Sequence, residues 1–464
     1  EIMLAKLKKK YIGDWDFYKK YLFLAIPMIL QNAITNLVSF LDNIMVGQLG
    51  TEQMSGVAIV NQLIFVYNLA IFGAVSAASI FGAQYFGKGN HKGHMYSFRF
   101  KLYATLLVTG GAILLFLTKG SALISLYLTD TVGNGATDLA LQYGLEYLAI
   151  MMVGLIPFAV NQSYATNIKE TGQTFIPMLA SFVAVGTNAI LDYLMIFGIG
   201  PFPELGVQGA ALATVIARYI EALIVVIWAH IHRGKNRYLE GAYTGFGIPL
   251  AELKAILIKG FPLMMNEVLW AAGMTTVTQC YSVRGLNVVA GLNIASTITN
   301  LFNIVYLQLG SCISIVVGQY LGAGKLEDAK DADNKMIVFS VFCCVIMAVL
   351  MFVVGGFFPG IYNTTEEIRE LATSFIAVSA IIMPFCAFSH ASYFTLRSGG
   401  KTVVTFLFDS VFTWVIVVPA AYLLAHFTGL GIVSIYFLVQ GTELIKVIIG
   451  YLMVKSNVWV VQMV

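Results

Sequence analysis

Residues 76–89 read SAASIFGAQYFGKG, and residues 311–324 read SCISIVVGQYLGAG. At a constant offset of 235, seven of these fourteen positions agree. The same offset aligns Pro27 with Pro262, Gly50 with Gly285 and Asn68 with Asn303, and IKETGQT (168–174) is echoed by LRSGGKT (396–402). Apolar segments resemble one another by chance. A gap-free offset that holds polar and glycine positions needs a further cause, and duplication supplies it. The chain is therefore read as two halves, 1–235 and 236–464.

Each half is built for lipid. The 464 residues are 58% hydrophobic and 11% charged, with a mean hydropathy of +0.81. A soluble domain carries about 25% charged residues. Apolar runs cover 21–46, 56–83, 102–118, 139–162, 176–199, 207–230, 260–283, 288–320, 336–358, 371–395, 403–425 and 430–454. These are long enough to span a bilayer as helices, and they lack the ten-residue alternation of a barrel. The expectation is an all-α membrane protein with twelve transmembrane helices, six per half.

Orientation follows from lysine and arginine. The N-terminal tail holds Lys6, Lys8, Lys9, Lys10, Lys19 and Lys20, and most of the other basic residues lie in even-numbered connections. The odd-numbered connections hold only Lys119, Arg284 and Arg369. Both termini are expected in the cytoplasm of a multi-pass cell-membrane protein. No signal peptide is expected, because EIMLAKLKKKYIGDWDFYKKY is charged and aromatic. Six spans per half give both halves the same orientation, so they should be related about the membrane normal, with a cleft between them. HIHRGKNRYLEGAYTGFGIPLAELKA (230–255) reads as the cytoplasmic bridge.

Acids within such spans need a reason, since each costs about 2.5 kcal/mol or more at the bilayer centre. They are Asp42, Glu146, Asp192, Glu221, Glu267, Asp409 and Glu443. Arg218 and Glu221, like Glu443 and Lys446, stand three apart, and that spacing predicts two structural ion pairs. No role is evident for Glu146. Asp42 has no lysine or arginine within twenty residues. Asp192 has Asn188 one turn before it, on the same helical face. Counted from Lys20 and Lys169, both acids lie about 33 Å from the cytoplasmic anchors. Two carboxylates with neutral oxygens suit Na⁺, and they equally suit a shared proton. Either ion can be the coupling ion.

The second half does not copy this pair, since the offset turns Asp42 into Val277. It offers another set. Glu267, His390 and Asp409 all lie about 11–12 Å from Lys259, Arg397 and Lys401. A substrate- or proton-binding cluster is expected there.

LDNIMVGQLG (41–50), TNAILDYLMIFG (187–198), GVQGAALAT (206–214) and LRSGGKTVVTFLFDSVFTW (396–414) resemble the multidrug and toxic compound extrusion (MATE) family, as does nearly the whole chain. FPLMMNEVLW (261–270) is similar to the seventh-span glutamate motif of its NorM-type and eukaryotic branches, and the chain as a whole is closest to the NorM type. The resemblance implies the MOP-superfamily fold, a V-shaped pair of six-helix lobes. It also implies export of drugs, mostly organic cations, driven by entry of Na⁺ or H⁺. It places the N-lobe cation site at Asp42, Asn188 and Asp192, accompanied by Asn161 and Thr214. Some relatives carry an acid in the tenth span, where this chain offers only His390.

Other leads are weaker. TLRSGGKT (395–402) has Thr395 where a phosphate loop needs its first glycine. Cys280, Cys312, Cys343, Cys344 and Cys386 lie in apolar runs and read as buried packing residues. NTT (363–365) is a glycosylation sequon in an outer loop. A lipid-precursor flippase of the same superfamily is the alternative reading, although arginines to line its cleft are scarce. A membrane-embedded enzyme is the third, without a catalytic constellation or cofactor ligands. The expected partners are cationic amphiphilic drugs and membrane lipids, not nucleic acid. The 18 Met, 32 Phe and 23 Tyr offer adaptable surfaces to such drugs. No cofactor beyond the coupling ion is expected, and the protein is expected to be a monomer.

Overall fold

The computed structural model describes residues 10–128 and 134–464, apart from the side chains of residues 38, 40, 43 and 134–136. Lys6, Lys8 and Lys9 of the expected cytoplasmic tail lie outside the described residues. The described chain is mostly helical, with no strand among the described residues. Six helices precede the bridge: α1 (Trp15–Gly47), α2 (Thr51–Lys88), α3 (His91–Ser125), α4 (Asn134–Glu170), α5 (Phe175–Ile196) and α6 (Val207–Ile231). Six follow it: α7 (Leu250–Ser282), α8 (Leu286–Gly322), α9 (Leu326–Gly355), α10 (Glu366–Ser398), α11 (Thr402–Phe427) and α12 (Ile432–Lys455). Helices α2 to α12 are each long and apolar enough to cross a membrane. The 33-residue α1 carries the first expected span.

The chain packs as two compact units. One holds the described residues of Glu1–Ile29 with Ala83–Asn90 and Ala255–Val464; the other holds Leu30–Gly82 and the described residues of His91–Lys254. The boundary at 235/236 read from the repeat falls inside the second of these. In that second unit α4 and α5 both pack on α6, and α3 packs on α4. Val60, Ile64, Leu155 and Ala211 are among the buried side chains of its core. Tyr67 donates to the Leu155 carbonyl at 3.0 Å and meets Thr109 Oγ1 at 2.8 Å, so its hydroxyl is satisfied inside the apolar core. In the first unit α8, α9 and α12 pack against α10.

The repeated stretch explains part of the first unit. A Cβ on Gly87 would meet the Gln319 carbonyl oxygen at 1.9 Å, and one on Gly322 would meet the Gln84 carbonyl oxygen at 1.9 Å. The four positions are two equivalent pairs at the 235 offset. Each copy of the repeat thus lays its glycine on the other copy's glutamine, a close approach that only a residue without a side chain permits. Gln84 then donates to the Ser398 carbonyl at 3.0 Å and accepts from Met463 N at 2.8 Å. Gly89 and Gly324, which end the two copies, share a left-handed conformation with φ of 75° and 73°. That region is open to glycine at little cost.

Two helices are irregular. In α11, Leu407–Val411 and Thr413–Val417 are π-helical. Pro419 follows, and its ring would clash with the carbonyl four residues earlier, at Val415, in a regular helix; the wider turns relieve this. In α12 the helix breaks at Thr442, between Ile432–Gly441 and Glu443–Lys455. Asp409 lies in the first π segment, and Glu443 opens the second half of α12.

Candidate ion and substrate sites

The second unit gathers four of the five residues expected at the cation site. Asp192 and Asn188 are buried, 1% and 6% exposed, on α5. The carboxyl groups of Asp42, from α1, and Asp192 lie within hydrogen-bonding range of each other. Asn188 Nδ2 donates to Asp192 Oδ2 at 3.2 Å and to Thr214 Oγ1 at 3.4 Å. One oxygen of each acid, Asp42 Oδ1 and Asp192 Oδ1, is buried without a hydrogen-bond partner among the described residues. Tyr147 faces both acids and Thr214 from α4, and donates to Asn61 Oδ1 at 3.3 Å. Two carboxylates at close range repel when both are ionised, and buried oxygens without donors are costly. The arrangement is relieved by one positive charge that binds oxygen.

Asn161, the fifth residue, faces Glu221 of α6. It lies within hydrogen-bonding range of Glu221, with its own Oδ1 unpartnered among the described residues. Gln31 Nε2 donates to Ser181 Oγ at 2.7 Å, and Ser181 Oγ donates to Glu221 Oε1 at 2.5 Å. The expected Arg218–Glu221 ion pair does not form. Arg218 donates to the Gly154 carbonyl at 3.4 Å, and its guanidinium stands 5.0 Å from the Phe158 ring. The neighbouring helices supply each side chain with another partner, a serine hydroxyl for Glu221 and a backbone carbonyl for Arg218. Glu146 is half-buried and accepts from Gln142 Nε2 at 3.0 Å and Gln208 Nε2 at 3.3 Å.

The first unit brings Asp409 into a network that sequence reading missed. Lys446 Nζ donates to Asp409 Oδ1 at 2.8 Å, and Asn266 Nδ2 donates to Asp409 Oδ2 at 3.0 Å. The lysine and aspartate side chains are 9% and 17% exposed. The expected Glu443–Lys446 ion pair is therefore not the one formed. Lys446 reaches across to α11, and Glu443 keeps Oε1 buried and without a hydrogen-bond partner among the described residues. Asn266 also accepts from Ser410, which fixes the π segment to α7. Glu267 lies within electrostatic range of Arg397 and Asp409. His390 interacts in the same way with Lys446, Glu443 and Asp409, while its Nδ1 lies 2.9 Å from the Cys386 carbonyl and its ring packs on Tyr306. The sequence signals for the missed members were Asn266, beside Glu267, and Lys446, a lone cation in the last span.

A second missed cluster sits where α3 begins and α4 ends. Lys101 is fully buried, donates to Glu170 Oε1 at 2.5 Å and also bonds Asn167. His94 Nε2 lies 3.2 Å from Glu170 Oε2. No group of three or more metal-ligating side chains occurs among the described residues. All five cysteines are free; Cys280, Cys312 and Cys344 are buried as expected, whereas Cys343 and Cys386 are only partly so.

Known proteins resemble this chain along its length. A probable multidrug resistance protein NorM of Thermotoga maritima is 23% identical over 90% of this chain and 88% of its own. A probable multidrug resistance protein YoeA of Bacillus subtilis is 22% identical over 93% and 92%. Two solved structures cover 96% of each chain at 20% identity and a TM-score of 0.85, which establishes the fold. One is a MOP-superfamily transporter from Pyrococcus furiosus, and the other is a multidrug resistance MATE family transporter in an outward-facing conformation. The MatE family model matches twice, at residues 27–194 and 262–423, and the two matches start 235 residues apart, at the offset of the internal repeat. This multi-pass membrane chain belongs to the MatE family, the MATE multidrug resistance transporters.

Proposed function

We propose that the protein is a secondary active efflux antiporter that exports mainly organic cations in exchange for Na⁺ or H⁺ by alternating access. Its lobes are the two halves of the repeat, 1–235 and 236–464, with both termini in the cytoplasm and the monomer as the working unit. The observation that carries the reading is the Asp42–Asp192 pair, which presents two unpartnered buried oxygens beside Asn188 and Thr214. One Na⁺ or one proton entering from outside neutralises one of the two charges. The filled site favours one arrangement of the lobe and the unfilled site the other, so ion and substrate affinities are coupled reciprocally. In the other lobe, Glu267, His390 and Asp409 serve the cationic substrate or a proton.

The test is export of a fluorescent cationic dye by everted vesicles, with Na⁺ and pH gradients imposed separately. Efflux driven by one gradient, and lost in Asp42→Asn, supports the reading. Transport that neither gradient drives overturns it.

A further inference from the structure

We infer that Lys446 is a tethered cation shared between Asp409 and Glu443, and that an organic cation arriving at Asp409 displaces it onto Glu443. The inference rests on the export reading above and names how its first-unit site takes a positive charge.

Charge balance is the first argument. Asp409 and Glu443 are two acids around one buried lysine, and Glu443 lies within electrostatic range of Lys446. In the described geometry Asp409 is fully served, by Lys446 at 2.8 Å and Asn266 at 3.0 Å. Glu443 Oε1 is buried with no hydrogen-bond partner among the described residues. A buried acceptor without a donor is costly. The trio is one positive charge short, and the shortage is at Glu443.

Reach is the second argument. Glu443 and Lys446 are three residues apart on one helix, a spacing at which side chains meet. The lysine can therefore change carboxylates by rotating its own side chain. It leaves Asp409 only if another cation takes its place there.

The surroundings of the ammonium say which cation. Lys446 Nζ stands 5.6 Å from the centres of the Phe408 and Phe412 rings. The ammonium position thus has two aromatic rings and a carboxylate around it, the chemistry that holds organic ammonium and phosphonium ions. Na⁺ would gain little from the rings and would need more oxygens. Both acids also lie at helix irregularities, Asp409 in a π segment and Glu443 at the restart of α12, where local rearrangement is least costly. The other charged or titratable groups facing the trio are His390, Cys386, Tyr306, Tyr393, Glu267 and, through Glu267, Arg397.

Two measurements test this on purified full-length protein. The first is a thermal-melting cycle of Asp409→Asn, Glu443→Gln and the double variant. Each single variant leaves Lys446 a carboxylate, whereas the double leaves none. The double should therefore lose more than the sum of the singles, by on the order of several °C. Additive losses would overturn the inference. The second is tetraphenylphosphonium binding, with NaCl titrated in parallel. Glu443→Gln pins Lys446 to Asp409 and should weaken binding about tenfold, a coupling of ordinary size. Unchanged affinity, no binding to the wild type, or Na⁺ binding in its place would overturn it. Dye export that persists alongside an additive cycle sinks the shared lysine alone. A synergistic cycle and normal phosphonium binding without gradient-driven export sink the antiporter reading alone.

Discussion

Lys446 bonds Asp409 across two helices at 2.8 Å and leaves Glu443, its neighbour three residues back on the same helix, with a bare buried oxygen. Removing the lysine strands two acids at once. Lys446→Met should lose about 3–5 kcal/mol of stability, the usual cost of breaking a buried pair. Adding both Asp409→Asn and Glu443→Gln to it should restore most of that loss. Thermal melting of the single and triple variants checks this, and a Lys446→Met protein as stable as wild type would contradict it.

The Lys101–Glu170 pair makes a comparison in the second unit. Lys101 is 0% exposed, and its partners are Glu170 and Asn167. Glu170→Gln should cost about 3–5 kcal/mol because the ammonium stays buried and unneutralised. Lys101→Met with Glu170→Gln should recover most of it. If the single variant melts with wild type, the pair is not holding α3 and α4 together.

The glycine contacts of the repeat give a matched pair of substitutions. Gly87→Ala and Gly322→Ala each drive a methyl group to 1.9 Å from a carbonyl oxygen, so backbone must shift. Overpacking of this kind costs about 1–3 kcal/mol. Because the two positions are equivalent, the losses should be similar. A shift in melting for one variant with none for the other would show that the reciprocity has no energetic meaning.

Glu267 faces Arg397 and Asp409 at the expected substrate site. Its ionised form attracts a cation and its protonated form does not, so a cationic dye and a proton compete. Dye affinity in the wild type should rise with pH between about 5 and 8, and Glu267→Gln should flatten that rise. Titrations of purified protein at several pH values decide the point. Equal pH dependence in both proteins would exclude the role.

The fold was legible because lipid imposes length and apolarity on every span, and because the offset of 235 survives in Gly87, Gly322, Gln84 and Gln319. The first-half acid pair was legible too, since Asp42 and Asp192 each lack a local counter-charge and share a depth. Partner choice was not. Helical spacing favoured Arg218 with Glu221 and Glu443 with Lys446, but spacing along one helix says nothing of what the neighbouring helix offers. Ser181 won Glu221, and Asp409 won Lys446. Asn161 was assigned to the cation site by resemblance alone, and its contact with Glu221 had no signal in the sequence. Lys101 and Glu170 were hidden because they fall where solvated cytoplasmic charges are expected.

The central claim is that the Asp42–Asp192 pair takes up the driving ion, and gradient-driven dye efflux in everted vesicles tests it most directly. Wild type and Asp42→Asn are compared at equal expression, with monodispersity checked on the purified proteins. Asp42 lies in hydrogen-bonding range of Asp192, and one oxygen of each has no partner among the described residues, so a neutral amide removes the charge without removing the shape. The account predicts that wild type responds to an imposed Na⁺ or pH gradient and that Asp42→Asn, folded and monodisperse, does not. Full efflux by Asp42→Asn would contradict it.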